Sequence, residues 1–311
     1  MTRTRTLLWL GLGFLLLLAL RSVQAASAHA ASGARLVELQ SGGMARWYRV
    51  HTPPQFDPQT PTPVVLAFHG GGGNAVQFMN QSGLNAAADR HGFVVVYPEG
   101  TGKLGGKPWF RLQTWNAGSC CGYASEQNID DVGFVRDLLA DLDQRMTIET
   151  GSVFATGHSN GGMLCYRLAI EAPELFAAIA PNASCRNFNG LPQQPMPIIA
   201  FHGALDCNVP WQGGVGCGVS GVWMRSQRDS LLPFLQINGA TLPPRQPPAE
   251  RRGKALRYEA TAAQSGADVH YWWMLDHGHA WPGHGSAIGD PCNFDIDINE
   301  EMWVFFDRYR G

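Results

Sequence analysis

Charge is scarce in this sequence: only 15% of its 311 residues are Asp, Glu, Lys or Arg, against 45% hydrophobic. A disordered chain has the reverse balance, so this one can bury a large core. A basic excess is missing too. Arg3, Arg5 and Arg21 fall in the first 25 residues, which hold no acid, leaving 20 basic residues against 25 acidic ones and a net charge near −5 in the remainder. That balance argues against nucleic acid as a partner. No C-x-x-C pair occurs, so the commonest spacing of a structural metal site is lacking. Internal repeats are absent. Residues 7–20 form the one long apolar run, and its 14 residues are short for a bilayer span of ~20.

What is present begins with that run. Arg3 and Arg5 precede it, and Val23, Gln24 and Ala25 follow it as a small-x-small cleavage pattern. Residues 1–25 therefore read as a secretory signal peptide cut after Ala25. No lipobox cysteine follows, so residues 26–311 are expected as one soluble, exported catalytic domain, extracellular or periplasmic, free of the membrane after cleavage and monomeric. All seven cysteines lie in that part, where an oxidising compartment favours disulfides. The odd number leaves at least one free. Cys120 and Cys121 are adjacent, and a bridge between neighbours is a strained ring, so one or both are expected to reach a distant partner.

Two strands over residues 35–40 and 46–51, joined at Gly42 and Gly43, predict an opening antiparallel hairpin. Residues 64–68 are an unbroken apolar run suited to a buried central strand, and residues 74–91 have helical spacing. Strands then alternate with helices: 93–97, a helix begun at Asp130 and Asp131, 153–156, a helix after Ser159, 176–180, 198–202, 269–275 and a closing helix over 299–309. This rhythm predicts an α/β fold with a mostly parallel central sheet and helices on both faces. Residues 212–254, rich in Gly, Pro and Arg, break it as a surface excursion around a helix near 221–238.

Gly157, Ser159 and Gly161 stand between an apolar β-prone run and a helix-compatible one, the G-x-S-x-G pattern of a nucleophile elbow. A serine hydroxyl needs a base, and the base needs an acid to orient it. Asp206 follows the strand at 198–202, and His277 and His279 follow the strand at 269–275. Catalytic groups of open α/β sheets collect at such strand ends. Asp276 competes with Asp206 by position, and spacing does not choose between the two histidines. His277, His279 and His284 would be the donors of a zinc site, but no carboxylate or cysteine stands at suitable spacing, so no metal and no cofactor is expected. His69, His158 and His202 sit in strand-to-loop turns, where rings usually satisfy backbone groups. An oxyanion hole needs two N–H donors: Asn160, after the serine, and Gly70 or Gly71 in the Gly70–Gly73 turn are the candidates. Trp109, Trp115, Trp211, Trp223 and Trp281 are candidates to line an apolar cleft, Trp115 and Trp281 as substrate contacts.

Taken together, His69-Gly70-Gly71-Gly72, Trp115-Asn116-Ala117 with Cys120-Cys121-Gly122, Asp130-Asp131-Val132-Gly133-Phe134, the Ser159 elbow, His202-Gly203 with Asp206, and Gly278-His279-Ala280-Trp281-Pro282-Gly283 resemble the polyhydroxybutyrate depolymerase and feruloyl esterase family of secreted α/β-hydrolases, LpqC-like esterases included. The resemblance implies an α/β-hydrolase fold and a serine carboxylic-ester hydrolase with Ser159 as nucleophile, Asp206 as acid and His279 as base, which separates His279 from His277. Residues 212–254 are longer and richer in Pro and Arg than a plain member needs, and no separate polymer-binding module is expected after the closing helix, which favours soluble oligomers or small esters as substrate. A prolyl oligopeptidase-like peptidase and a non-enzymatic surface-binding protein are the rival classes.

Overall fold

The computed structural model describes residues 34–240 and 247–311; the expected signal segment lies outside them. Gly42 and Gly43 take φ of 56° and 77°, backbone that turns one strand back on the next, and they join β1 (Arg35–Ser41) to its sheet neighbour β2 (Met44–His51). β3 (Thr62–Phe68) is buried at every position, as an apolar run covered on both faces must be. α1 (Ala75–Ser82), α2 (Leu84–His91) and β4 (Val94–Pro98) follow. The single helix read over residues 74–91 is thus two. It breaks at Gly83, whose φ is 68° and whose Cβ, if present, would stand 2.6 Å from the His284 ring.

After α3 (Gly122–Glu126) comes α4 (Asp131–Asp143), capped by Asp130, whose carboxylate accepts the Gly133 N–H at 2.8 Å. Buried Asp131 meets Arg46 at 2.8 Å. The chain continues through β5 (Ile148–His158), α5 (Asn160–Glu171), β6 (Ala178–Asn182), β7 (Ile198–Gly203), the short pair β8 (Gly214–Val215) and β9 (Trp223–Met224), and α6 (Gln227–Asn238). β10 (Glu250–Arg252), β11 (Ala255–Ala260), β12 (Val269–Met274) and α7 (Ile298–Phe306) complete it.

Ten strands form one sheet in the order β1-β2-β4-β3-β5-β6-β7-β12-β11-β10. β4, β3, β5, β6, β7 and β12 are parallel to their neighbours within that block. β2 runs antiparallel to β4 at one side, and β11 and β10 are antiparallel at the other. This is the α/β-hydrolase arrangement, mostly parallel with helices on both faces. One face packs Val64, Leu66 and Phe68 with Phe134 and Leu138 of α4, Leu164 and Leu168 of α5, and Leu231 and Phe234 of α6. On α7, Phe306 stacks on Phe154 and Trp303 on Phe93, each pair 4.5 Å apart. Among the described residues no helix is long and apolar enough to cross a membrane.

Cysteine pairing departs from expectation. Cys120 and Cys121 are bonded to each other across a cis peptide, with Cα atoms 3.0 Å apart, and neither reaches a distant partner. Cys207 pairs with Cys217, closing the loop that follows β7. Cys165, Cys185 and Cys292 are free.

Candidate active site

Each segment expected to carry chemistry leaves the carboxyl end of a parallel strand: Gly70 after β3, Ser159 after β5, Asp206 after β7 and His279 after β12. Parallel pairing puts those ends along one edge of the sheet. Ser159 adopts φ 56° and ψ −122°, a conformation that costs a non-glycine residue about 1–3 kcal/mol and that surrounding packing must hold. The flanking glycines make that packing. A Cβ on Gly157 would lie 2.6 Å from the Gly161 carbonyl carbon, and one on Gly161 would lie 2.2 Å from the Phe68 oxygen. We therefore expect Gly161→Ala to push α5 off β3 and cost about 3 kcal/mol or more, read as a fall of at least ~5 °C in Tm. An unchanged melting curve would contradict this close approach.

Asp206 is 3% exposed and His279 6%. Asp206 Oδ2 accepts a hydrogen bond from His279 Nδ1 at 2.8 Å, while Oδ1 accepts the Val209 N–H at 2.9 Å. Burial opposes the Asp206 charge. The His279 hydrogen bond, with His202 and the Val209 N–H, outweighs it and holds the carboxyl below the ordinary carboxylate range. With its proton on Nδ1, neutral His279 keeps a lone pair on Nε2. Its ring lies 4.6 Å from that of His158, the residue before Ser159. Asn182, at the end of β6, joins the two segments: its backbone oxygen accepts the Ser159 N–H at 3.0 Å, and its side-chain amide donates to the Ala280 oxygen at 2.8 Å. Sequence reading missed Asn182, and a polar residue closing an apolar strand was the signal available.

His277 goes elsewhere. It is fully buried, its Nδ1 accepts the Asn293 N–H at 2.9 Å, and its Nε2 donates to the Ala280 oxygen at 3.2 Å. Burial lowers its pKa to about 4, so it is a neutral brace of the turn. Asp276 bonds Asn293 and lies 3.4 Å from Lys254, and His284 bonds Asp297. The zinc candidates therefore point to three different partners, and no cluster suited to a metal ion occurs among the described residues.

His69 and His202 serve backbone groups, as their turn positions imply. His202 Nε2 donates to the Val209 oxygen at 2.8 Å. His69 accepts the Gly100 N–H on Nε2 at 3.0 Å and donates from Nδ1 to the Gly70 oxygen at 2.8 Å, so it fixes the start of the glycine turn. Burial brings its pKa down to about 4. A Cβ on Gly70 would stand 3.5 Å from the Ser159 Cβ, and one on Gly71 3.5 Å from the Asn160 Cβ. The glycine turn thus lies directly against the elbow. Gly72 and Gly73 spend their N–H groups on Gln113 and Gly70, while those of Gly70, Gly71 and Asn160 bond no acceptor among the described residues.

Trp115 and Trp281 do not line a cleft. Both are fully buried. Trp115 donates its indole N–H to the His69 oxygen at 2.9 Å, and its backbone N–H and C=O clasp the Asn160 amide at 2.7 and 3.1 Å. Trp281 donates to Asn299 at 3.1 Å and meets Phe78 edge to face. Their role is to lock the turns that carry the oxyanion candidates and His279. Trp109, Trp211 and Trp223 are the exposed ones, at 66%, 38% and 58%.

The chain is similar to the esterase NocK of Nocardia uniformis, 32% identical over 57% of this chain and 49% of the relative. It is similar to feruloyl esterase D of Neurospora crassa, 26% identical over 95% of this chain and 96% of that one. The chain spans about half or less of the length of the first curated relatives it matches. Among solved structures, an acetyl xylan esterase from Aspergillus awamori shares the fold with a TM-score of 0.59 at 12% identity, over 88% of this chain and 99% of that one. Residues 47–189, which carry the glycine turn, the cysteine pair and the Ser159 elbow, match the family described as Esterase PHB depolymerase.

Proposed function

We propose that this chain is an exported, monomeric serine carboxylic-ester hydrolase acting on small or oligomeric esters through Ser159, His279 and Asp206. The observation that carries the reading is the Asp206–His279 hydrogen bond of 2.8 Å, at the strand edge where Ser159 stands in a φ 56° elbow. His279 Nε2 takes the Ser159 proton as Oγ attacks the ester carbonyl. Negative charge develops on the carbonyl oxygen and is held by the N–H groups of Asn160 and of Gly70 or Gly71. His279 returns the proton to the departing alcohol, and water activated by the same nitrogen releases the acid from the acyl-enzyme. Asp206 stays ionised throughout and keeps the imidazole in the required tautomer. The two disulfides fit an oxidising compartment and hence removal of residues 1–25 on export.

The rival is a peptidase on the same fold. Purified protein should hydrolyse short p-nitrophenyl esters, methyl ferulate or hydroxybutyrate oligomers, and leave peptide p-nitroanilides at background. Amide cleavage matching ester cleavage would favour the peptidase.

A further inference from the structure

The loops after β4, β6 and β7 converge, at the same edge as the catalytic segments, on a groove of about 260 Å³. It is lined by Ser119, Asn187, Asn189, Val222, Trp223 and Arg225. Val222 packs on a cluster that contains Met163, one turn beyond Ser159, and Val209, whose N–H bonds Asp206. The groove therefore shares a packing cluster with the helix that begins at the elbow and with the loop that holds Asp206. Three properties set what it can hold. Its lining has no acidic residue. Arg225 has one described hydrogen bond, to Asn189 Oδ1 at 2.6 Å, and no ion pair among the described residues, so most of its guanidinium N–H groups remain to donate. Trp223, 58% exposed, gives an apolar wall beside that cation. Behind it, buried Arg186 donates to the Phe188 and Gly190 oxygens at 2.6 and 2.9 Å, which fixes the loop bearing Asn187 and Asn189 and adds positive charge. The nearby acid Asp229 is bonded by Ser226 and is not part of the lining.

We infer that this groove binds a carboxylate carried by the substrate away from the scissile ester, with Arg225 as the specificity-determining residue. The substrate is then an ester that carries a free carboxylate on the far side of the bond cleaved. A planar guanidinium matches a carboxylate with two N–H donors, and an acid-free lining spares it repulsion. The inference rests on the ester-hydrolase reading, and the test keeps the two apart.

The hydroxybutyrate dimer offers the same ester bond with a free carboxylate or, as its methyl ester, without one. Wild-type protein should favour the free acid in kcat/KM by ~10-fold, the size of one charge-assisted contact, and Arg225→Gln should bring that ratio to within ~2. A wild-type ratio near one, or a preference that survives in Arg225→Gln, overturns the assignment. So does a variant that weakens both substrates equally, because Arg225 would then act through packing. Wild-type hydrolysis of p-nitrophenyl butyrate alongside such a result would leave the ester-hydrolase reading standing. Its absence would sink both.

Discussion

Replacing Ser159 by alanine should lower kcat for ester hydrolysis by ~10⁴-fold or more while leaving the melting temperature within ~2 °C of wild type. Alanine keeps the Cβ, so the φ 56° elbow and its contacts with the glycine turn persist. Only the hydroxyl proposed to attack the ester is removed. The N–H donors and the binding surface remain and sustain a small acceleration over water, as in other hydrolases that lose the nucleophile. Residual activity above ~10⁻³ of wild type would mean that another group attacks the ester.

The second large effect separates two histidines in one turn. His279→Ala removes the proposed base and should cost ~10³-fold or more in kcat/KM, whereas His277→Ala should keep activity within ~10-fold below its melting temperature. Stability does not separate the two. Losing the His277 ring strands the buried Asn293 N–H and takes one donor from the Ala280 oxygen, a cost of about 1–3 kcal/mol for each unsatisfied group. The His279 ring hydrogen-bonds only Asp206 among the described residues, and its removal leaves one oxygen of that buried carboxylate without its donor, so a loss in Tm of similar size is expected. Steady-state kinetics and thermal melts on both variants read the contrast. Equal loss of activity would remove the distinction between base and brace.

These expectations show what kind of information the sequence carries. The elbow is legible because close approach of backbones leaves room for nothing but glycine at 157 and 161, and that demand is written in residue type. The sheet is legible for a similar reason: the stretch of β3 from Val64 to Phe68 is buried on both faces and reads as an unbroken apolar run. Asp206 and His279 are visible as polar residues just beyond apolar strands. What separates His279 from His277 is a partner 73 residues away, and spacing holds no trace of it. Trp115 and Trp281 mislead for the same reason, since loop tryptophans look like cleft walls until their indole N–H groups are seen to end on His69 and Asn299. β10 and β11 escape notice because an edge strand such as Glu250–Arg252, part exposed and charged, has little hydrophobic pattern to read. Cys120 and Cys121 are bonded to each other, and residue order does not state which partner each cysteine takes.

The most direct test is rapid mixing with p-nitrophenyl butyrate, with an acid quench and peptide mass spectrometry of the trapped protein. The account predicts a burst of p-nitrophenol approaching one equivalent per chain and a butyryl group on the peptide containing Ser159, both lost in His279→Ala. Product release with no acylated peptide, or acylation at another residue, would contradict it.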